Sequence, residues 1–200
     1  MQDDEVLAQL RHCLDTPHQF DQVPAQHALR EAAVLVPLLH REQGLTMLLT
    51  QRTDHLHDHA GQISFPGGRR DEGDASVVAT ALREAEEEIG LPPQHVSILG
   101  CLPEYQTVTG FAIAPIVGLV TPPAQWSLDA FEVASVFEVP LSFLLNPEYH
   151  ERHQREYQGV MRAFWSMQWQ DHYIWGATAG MIVSLYERLH GKTGAITEAG

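Results

Sequence analysis

Three glutamates stand at 84, 87 and 88 within Arg83-Glu84-Ala85-Glu86-Glu87-Glu88-Ile89-Gly90-Leu91. On a helix turning about 100° per residue, Glu88 lies about 40° to one side of Glu84 and Glu87 about 60° to the other. The three carboxylates therefore share one narrow face. Val78, Ala81, Leu82, Ala85 and Ile89 make an apolar stripe beside it, and Ala79, Arg83 and Glu86 take the remaining side. Like charges at these spacings repel by about 0.2–0.5 kcal/mol per pair, and a solvated acidic face is the ordinary explanation of such a triplet. Two neighbours argue for chemistry instead. Arg83, four residues before Glu87, is placed to orient that carboxylate. Gly67-Gly68, upstream, offers a backbone that can approach a ligand closely. Clustered hard oxygen donors of this kind suit Mg²⁺ or Mn²⁺.

Elements must hold this face in place. A helix is expected over 75–89, with Asp74 as N-cap, Gly90 just past its end and Pro92-Pro93 forbidding continuation. Apolar runs at 32–39 and 45–50, separated by a turn-like stretch at 40–44, predict a hairpin. A third strand is expected over 60–65, stopped by Pro66-Gly67-Gly68. Further strands are expected at 96–102, 111–120 and 134–139, then a short helix at 141–145 and a hairpin from 160–169 and 172–175. An amphipathic helix over 177–190 closes the pattern, and a short one over 5–14 opens it, as a lid or as packing. With no internal repeat, one α/β domain is the simplest account. The expected division is an N-terminal helix and connecting segment over 1–31, the main domain over 32–190 and a frayed tail over 191–200.

Composition limits the partners. A net charge of −14, with 12 Lys plus Arg, argues against a nucleic-acid backbone. It does not exclude a phosphate-bearing small molecule, because carboxylates can hold cations that hold the phosphates. Two cysteines, Cys13 and Cys101, build no disulfide framework. The opening residues are acidic rather than leader-like, and no apolar run is long enough to span a bilayer. These features predict a cytoplasmic protein, off the membrane, as a monomer or homodimer.

Gly68 followed by the stretch 83–91 resembles the Nudix box: a glycine, five spacers, Glu, seven spacers, then Arg-Glu-apolar-x-Glu-Glu-x-Gly-apolar. The second half agrees at every specified position. The first half departs, with 14 residues rather than the general thirteen between Gly68 and Arg83, and Asp74 where the box has Glu. The resemblance implies an α/β/α sandwich around a mixed β-sheet. It implies that Glu84, Glu87 and Glu88 bind divalent ions on a diphosphate, that Arg83 orients the glutamates and that Gly68 opens the loop. A metal-bound water attacks phosphorus and a carboxylate takes its proton. Glu132 is the first candidate for that base and Glu104 the second.

Leu48-Leu49-Thr50-Gln51-Arg52-Thr53 and Gly61-Gln62-Ile63-Ser64-Phe65-Pro66-Gly67-Gly68 resemble the further signature of the coenzyme A diphosphatase subfamily. That likeness implies cleavage of coenzyme A, or an acyl derivative, to 3′,5′-ADP and 4′-phosphopantetheine, with Arg52, His57, Gly67 and Gly68 on the substrate. His57 replaces the signature's arginine, and an imidazole is mostly neutral at pH 7 where a guanidinium is charged. Arg52 is placed to compensate. Two alternatives stay open: another nucleoside diphosphate linked to a group X, such as ADP-ribose or a dinucleotide, and a non-catalytic Nudix-fold nucleotide sensor. His55, His57 and His59 alternate as ligands on one strand face would. Trp165, Trp169, Tyr173 and Trp175 are spaced either to stack on a base or to pack a core.

Overall fold

Apolar side chains on both faces of the segment 30–52 make it the centre of the protein. A computed structural model describes residues 3–18, 20, 29–55, 60–123, 125–157 and 159–191. In chain order its elements are α1 (Asp3–Cys13), β1 (Arg30–Arg41), β2 (Gly44–Arg52), β3 (Ile63–Ser64), β4 (Gly67–Arg69), α2 (Val77–Ile89), β5 (Val96–Cys101) and β6 (Tyr105–Gln106). There follow β7 (Phe111–Val120), β8 (Val133–Pro140), α3 (Leu141–Leu144), β9 (Glu151–Tyr157), β10 (Val160–Trp169), β11 (His172–Trp175) and α4 (Ala177–Leu189).

The hairpin β1–β2 closes with Arg41 opposite Gly44, as expected. β7 runs parallel to β1 along its length, and every other pairing in this mixed sheet is antiparallel. The path is β3-β2-β1-β7-β5, with β4 added to β1, β6 to β7 and β8 to β2. Ala33, Leu35, Leu39 and Leu48 face one side, where Val77, Ala81, Ala85 and Ile89 of α2 cover them. Val36, Leu38, Leu45, Met47 and Leu49 face the other, under α1, α4 and the second sheet, β11-β10-β9. A sheet apolar on both faces needs both covers, and the result is the expected α/β/α sandwich.

Four details differ from the sequence reading. The third strand shrinks to Ile63–Ser64, and Gly67-Gly68, expected to stop it, start strand β4 instead. A Cβ on Gly67 would stand 2.4 Å from the Ala33 carbonyl oxygen, so only bare backbone pairs there. α2 is capped by Ser76, whose hydroxyl accepts from the Ala79 N–H, and not by Asp74. Strand β9, polar and almost wholly exposed, carries no apolar alternation and was not expected. Finally, α4 is not amphipathic over its first turns, because Thr178 to Leu185 are all buried. Among the described residues no helix is long and apolar enough to cross a membrane.

The opening helix packs rather than covers an opening. Val6 and Leu10 sit in one cluster with Met181, Ile182, Leu185 and Leu189 of α4. Arg188 pairs with Asp15, and Asp15 also bridges to Cys101. Leu10 is fully buried, so Leu10→Ala is expected to lower stability by about 2–5 kcal/mol through lost burial and the cavity left behind, measured by urea unfolding.

A second test concerns acid. Arg41 donates to Glu138 at 3.0 and 2.6 Å and Thr46 donates to it at 2.6 Å. Chiefly through the Arg41 bond, the Glu138 carboxyl is held below its ordinary value. The stability this gives is present above the unfolded value of about 4.3 and is lost as pH falls through the folded one. Glu138→Gln is therefore expected to flatten the fall of the urea midpoint below about pH 4.3.

Candidate active site

α2 carries its carboxylates along the edge where β4 lies. The Gly67 N–H donates to Glu88 Oε2 at 3.1 Å. A Cβ on Gly68 would fall 2.5 Å from the Glu84 carboxyl carbon, so the second glycine leaves the space that Glu84 occupies. Glu88 is buried, 6% exposed, and its other oxygen faces Arg52 Nη1 at 3.8 Å. Burial pushes its carboxyl up to about 8, although the Gly67 N–H and Arg52 both pull the other way. Burial also raises Glu84, against the opposing pull of Arg83. Glu87 stands exposed at the outer edge.

Arg83 organises the face from behind. Its Nη1 donates to Glu84 Oε1 at 2.8 Å and to Glu87 Oε2 at 3.0 Å. Nε and Nη2 hold the two oxygens of Asp74 at 3.1 and 3.0 Å, and Nη2 also reaches the Arg69 carbonyl. Asp74, expected as a helix cap, is thus the partner of Arg83. The Arg83 guanidinium holds the Asp74 carboxyl well below the usual range. The bidentate fork fixes direction as well as charge.

Glu132 belongs to this constellation. The loop before β8 is tied to the end of α2 by the Asp129 N–H on the Glu88 carbonyl, 2.9 Å, and to the end of β2 by the Thr53 N–H on the Glu132 carbonyl, 3.0 Å. Arg52 Nη2 lies 3.8 Å from Glu132 Oε2, so Arg52 stands between Glu88 and Glu132. Glu104 is elsewhere: it is exposed and accepts from Gln106. His57 and His59 lie outside the described residues, and His55 rests against the Phe131 ring. Of the four aromatic residues singled out in the sequence, Trp175 lines the cavity beside this face. Trp165 and Trp169 pack on the core and Tyr173 is exposed. A Ser166–His153–Glu151 contact brings no relay, because both partners meet the same ring nitrogen and Ser166 is fully buried.

The donor set fits a hard divalent cation. All the acidic groups offer oxygen, and at buried Glu88 the pull of Arg52 from 3.8 Å does not offset desolvation. Among the described residues no three ligand-type side chains converge tightly enough to enclose an ion, Glu84 and Glu87 being drawn toward Arg83. The cavity beside the face, about 680 Å³, is lined by Arg30, Arg52, Arg69, Arg155 and Arg162. Apart from Arg52, the sequence reading missed these arginines. They are scattered along the chain, and only the fold gathers them.

A carboxylate-bearing helix seated on a glycine strand over a mixed sheet is the arrangement of a Nudix domain, and residues 29–162 match the model of the NUDIX domain. The chain belongs to the Nudix hydrolases, enzymes that act on phosphorus-containing anhydrides. It is 44% identical over 156 residues, 78% of this chain and 81% of the relative, to an uncharacterized Nudix hydrolase NudL of Enterobacter sp. (strain 638). To that of Shigella flexneri serotype 5b (strain 8401) it is 42% identical over 167 residues, 84% of this chain and 85% of the relative. Among solved structures, a MutT/nudix family protein from Enterococcus faecalis aligns with TM-score 0.52 at 16% identity, covering 88% of this chain and 67% of the other. A Nudix hydrolase from Nitrosomonas europaea aligns with TM-score 0.52 at 16% identity, covering 86% and 78%. These last two likenesses concern the fold alone.

The contact between strand and helix is directly testable. Gly68→Ala forces the Glu84 carboxylate aside while leaving both cores intact. Displacement of about 1 Å at a reacting centre costs on the order of 100-fold. Turnover of a diphosphate substrate is expected to fall by about that factor with the circular dichroism spectrum unchanged.

Proposed function

We propose that this Nudix hydrolase cleaves the diphosphate of coenzyme A or acyl-coenzyme A, releasing 3′,5′-ADP and 4′-phosphopantetheine or its acyl form. The observation that carries this reading is convergence. Arg52, from the Leu-Leu-Thr-Gln-Arg stretch, and Gly67-Gly68, from Phe-Pro-Gly-Gly, both touch the glutamates of α2. The subfamily signature and the box thus act on one place. Glu84, Glu87 and Glu88 hold Mg²⁺ or Mn²⁺. The bound ion supplies neutralisation of the diphosphate and a water of lowered pKa. Arg83 keeps Glu84 and Glu87 in position, and Arg52 contacts a substrate phosphate. Glu132 takes the proton as the water oxygen bonds to phosphorus and the bridging P–O bond breaks, leaving the two phosphomonoester products. A cytoplasmic location accompanies this reading, as Cys13 and Cys101 are free thiols in keeping with a reducing compartment.

Chromatographic analysis of products tests it, with coenzyme A and ADP-ribose supplied separately alongside Mg²⁺ or Mn²⁺. Metal-dependent 3′,5′-ADP from coenzyme A is the expected result. Glu88→Gln is expected to lower it by more than about 100-fold, since even outer partners of a metal are worth roughly 10–100-fold. Hydrolysis of ADP-ribose alone would keep the chemistry and overturn the substrate. No turnover of either by folded protein would favour a nucleotide sensor.

A further inference from the structure

In a protein of net charge −14, five arginines line one cavity. Three of them have partners nearby. Arg52 stands between Glu88 and Glu132. Arg30 donates to the Thr109 carbonyl and lies 3.9 Å over the Phe111 ring, and Arg69 lies 5.5 Å from the same ring. Arg155 and Arg162 are different. They are directly opposed across the β9–β10 ladder, a placement in which like charges destabilise a strand pair. Among the described residues neither is paired with a carboxylate, and the Nε of Arg162 is buried with no hydrogen-bond partner. Two arginines in register, both lining the cavity and without a carboxylate partner among the described residues, are suited to an anion from outside the protein.

The nature of that anion follows from its surroundings. Arg155 and Arg162 belong to the second sheet, whereas the glutamate face, Gly67 and Gly68 belong to the first sheet and its helix. One cavity reaches from Arg155 and Arg162 to Gly67 and Gly68, the strand on which Glu84 and Glu88 rest. A ligand spanning it presents one anionic group to the glutamate side and another to the arginine pair. Phe164 and Trp175, edge to face at 5.9 Å, lie on the same wall as the arginines and offer aromatic surface to a base. We propose that Arg155 and Arg162 form a subsite for a phosphomonoester on the nucleoside half of the substrate, separate from the diphosphate. This rests on the coenzyme A reading, in which the 3′-phosphate is the charge beyond the diphosphate. The pair is then the element that separates coenzyme A from nucleotides lacking that phosphate.

Steady-state kinetics on coenzyme A and 3′-dephospho-coenzyme A test it, using the wild-type chain, Arg162→Gln and the double variant Arg155→Gln/Arg162→Gln. Loss of a charge-assisted contact is expected to lower the ratio of kcat/KM for the two substrates by about tenfold, with the change in KM for coenzyme A. Arg162→Lys should restore part of it. An unchanged ratio, or equal loss on both substrates, would overturn the subsite while leaving the substrate reading intact. Calorimetry with 3′,5′-ADP and 5′-AMP separates the two failures, because it needs no turnover. Tighter binding of 3′,5′-ADP that the double variant abolishes, in a protein that does not cleave coenzyme A, would uphold the subsite and sink the substrate. Equal binding of the two nucleotides by the wild-type chain would overturn the subsite.

Discussion

The Gly67 N–H on the Glu88 carboxylate fixes how closely the acidic helix lies against the sheet. This contact takes a charge-bearing group almost out of water. It is possible only because the strand at that point has no side chains. At Gly67 a Cβ would strike β1, and at Gly68 it would strike Glu84. Each glycine thus clears a different neighbour. Behind them Arg83 spreads its donors over Asp74, Glu84 and Glu87. Three like charges on one helical face would otherwise push apart. The face is therefore held from the front by backbone and from the back by one guanidinium.

The distribution of charge has the same logic at larger scale. Carboxylates outnumber basic side chains by 26 to 12, yet arginines crowd the cavity next to the glutamates. A basic opening beside an acidic face makes a local field that orients a charged ligand before it docks. Aromatic faces among those arginines add surface without adding charge.

Much of this was legible in the chain. The hairpin at 30–52, the strand at 111–120 and the hairpin at 160–175 announce themselves by apolar pattern, and the glutamate face by helical spacing. Other features were hidden for physical reasons. β9 is an exposed edge strand of polar residues, so no periodic signal marks it. Asp74 looks like a helix cap in sequence because an acid before a helix usually is one, but Ser76 is nearer and Arg83 claims the carboxylate. The pair Arg155 and Arg162 depends on strand register, which follows from the turn between them and not from either residue.

The docking of α1 on α4 has a consequence for the order in which the molecule is made. Residues 3–13 bury Val6 and Leu10 against residues 177–189, and Asp15 meets Arg188. During synthesis the helix that is translated first can meet β5 early, but it completes its seat only after the helix translated last among the described elements has emerged. Until then part of its apolar side stays uncovered, since contacts so distant along the chain close late. The glutamate face needs no such delay: α2, β1 and β4 lie within residues 30–89. The part of the fold that carries the glutamate face can therefore take shape while the layer that covers the far side of the sheet is still being translated.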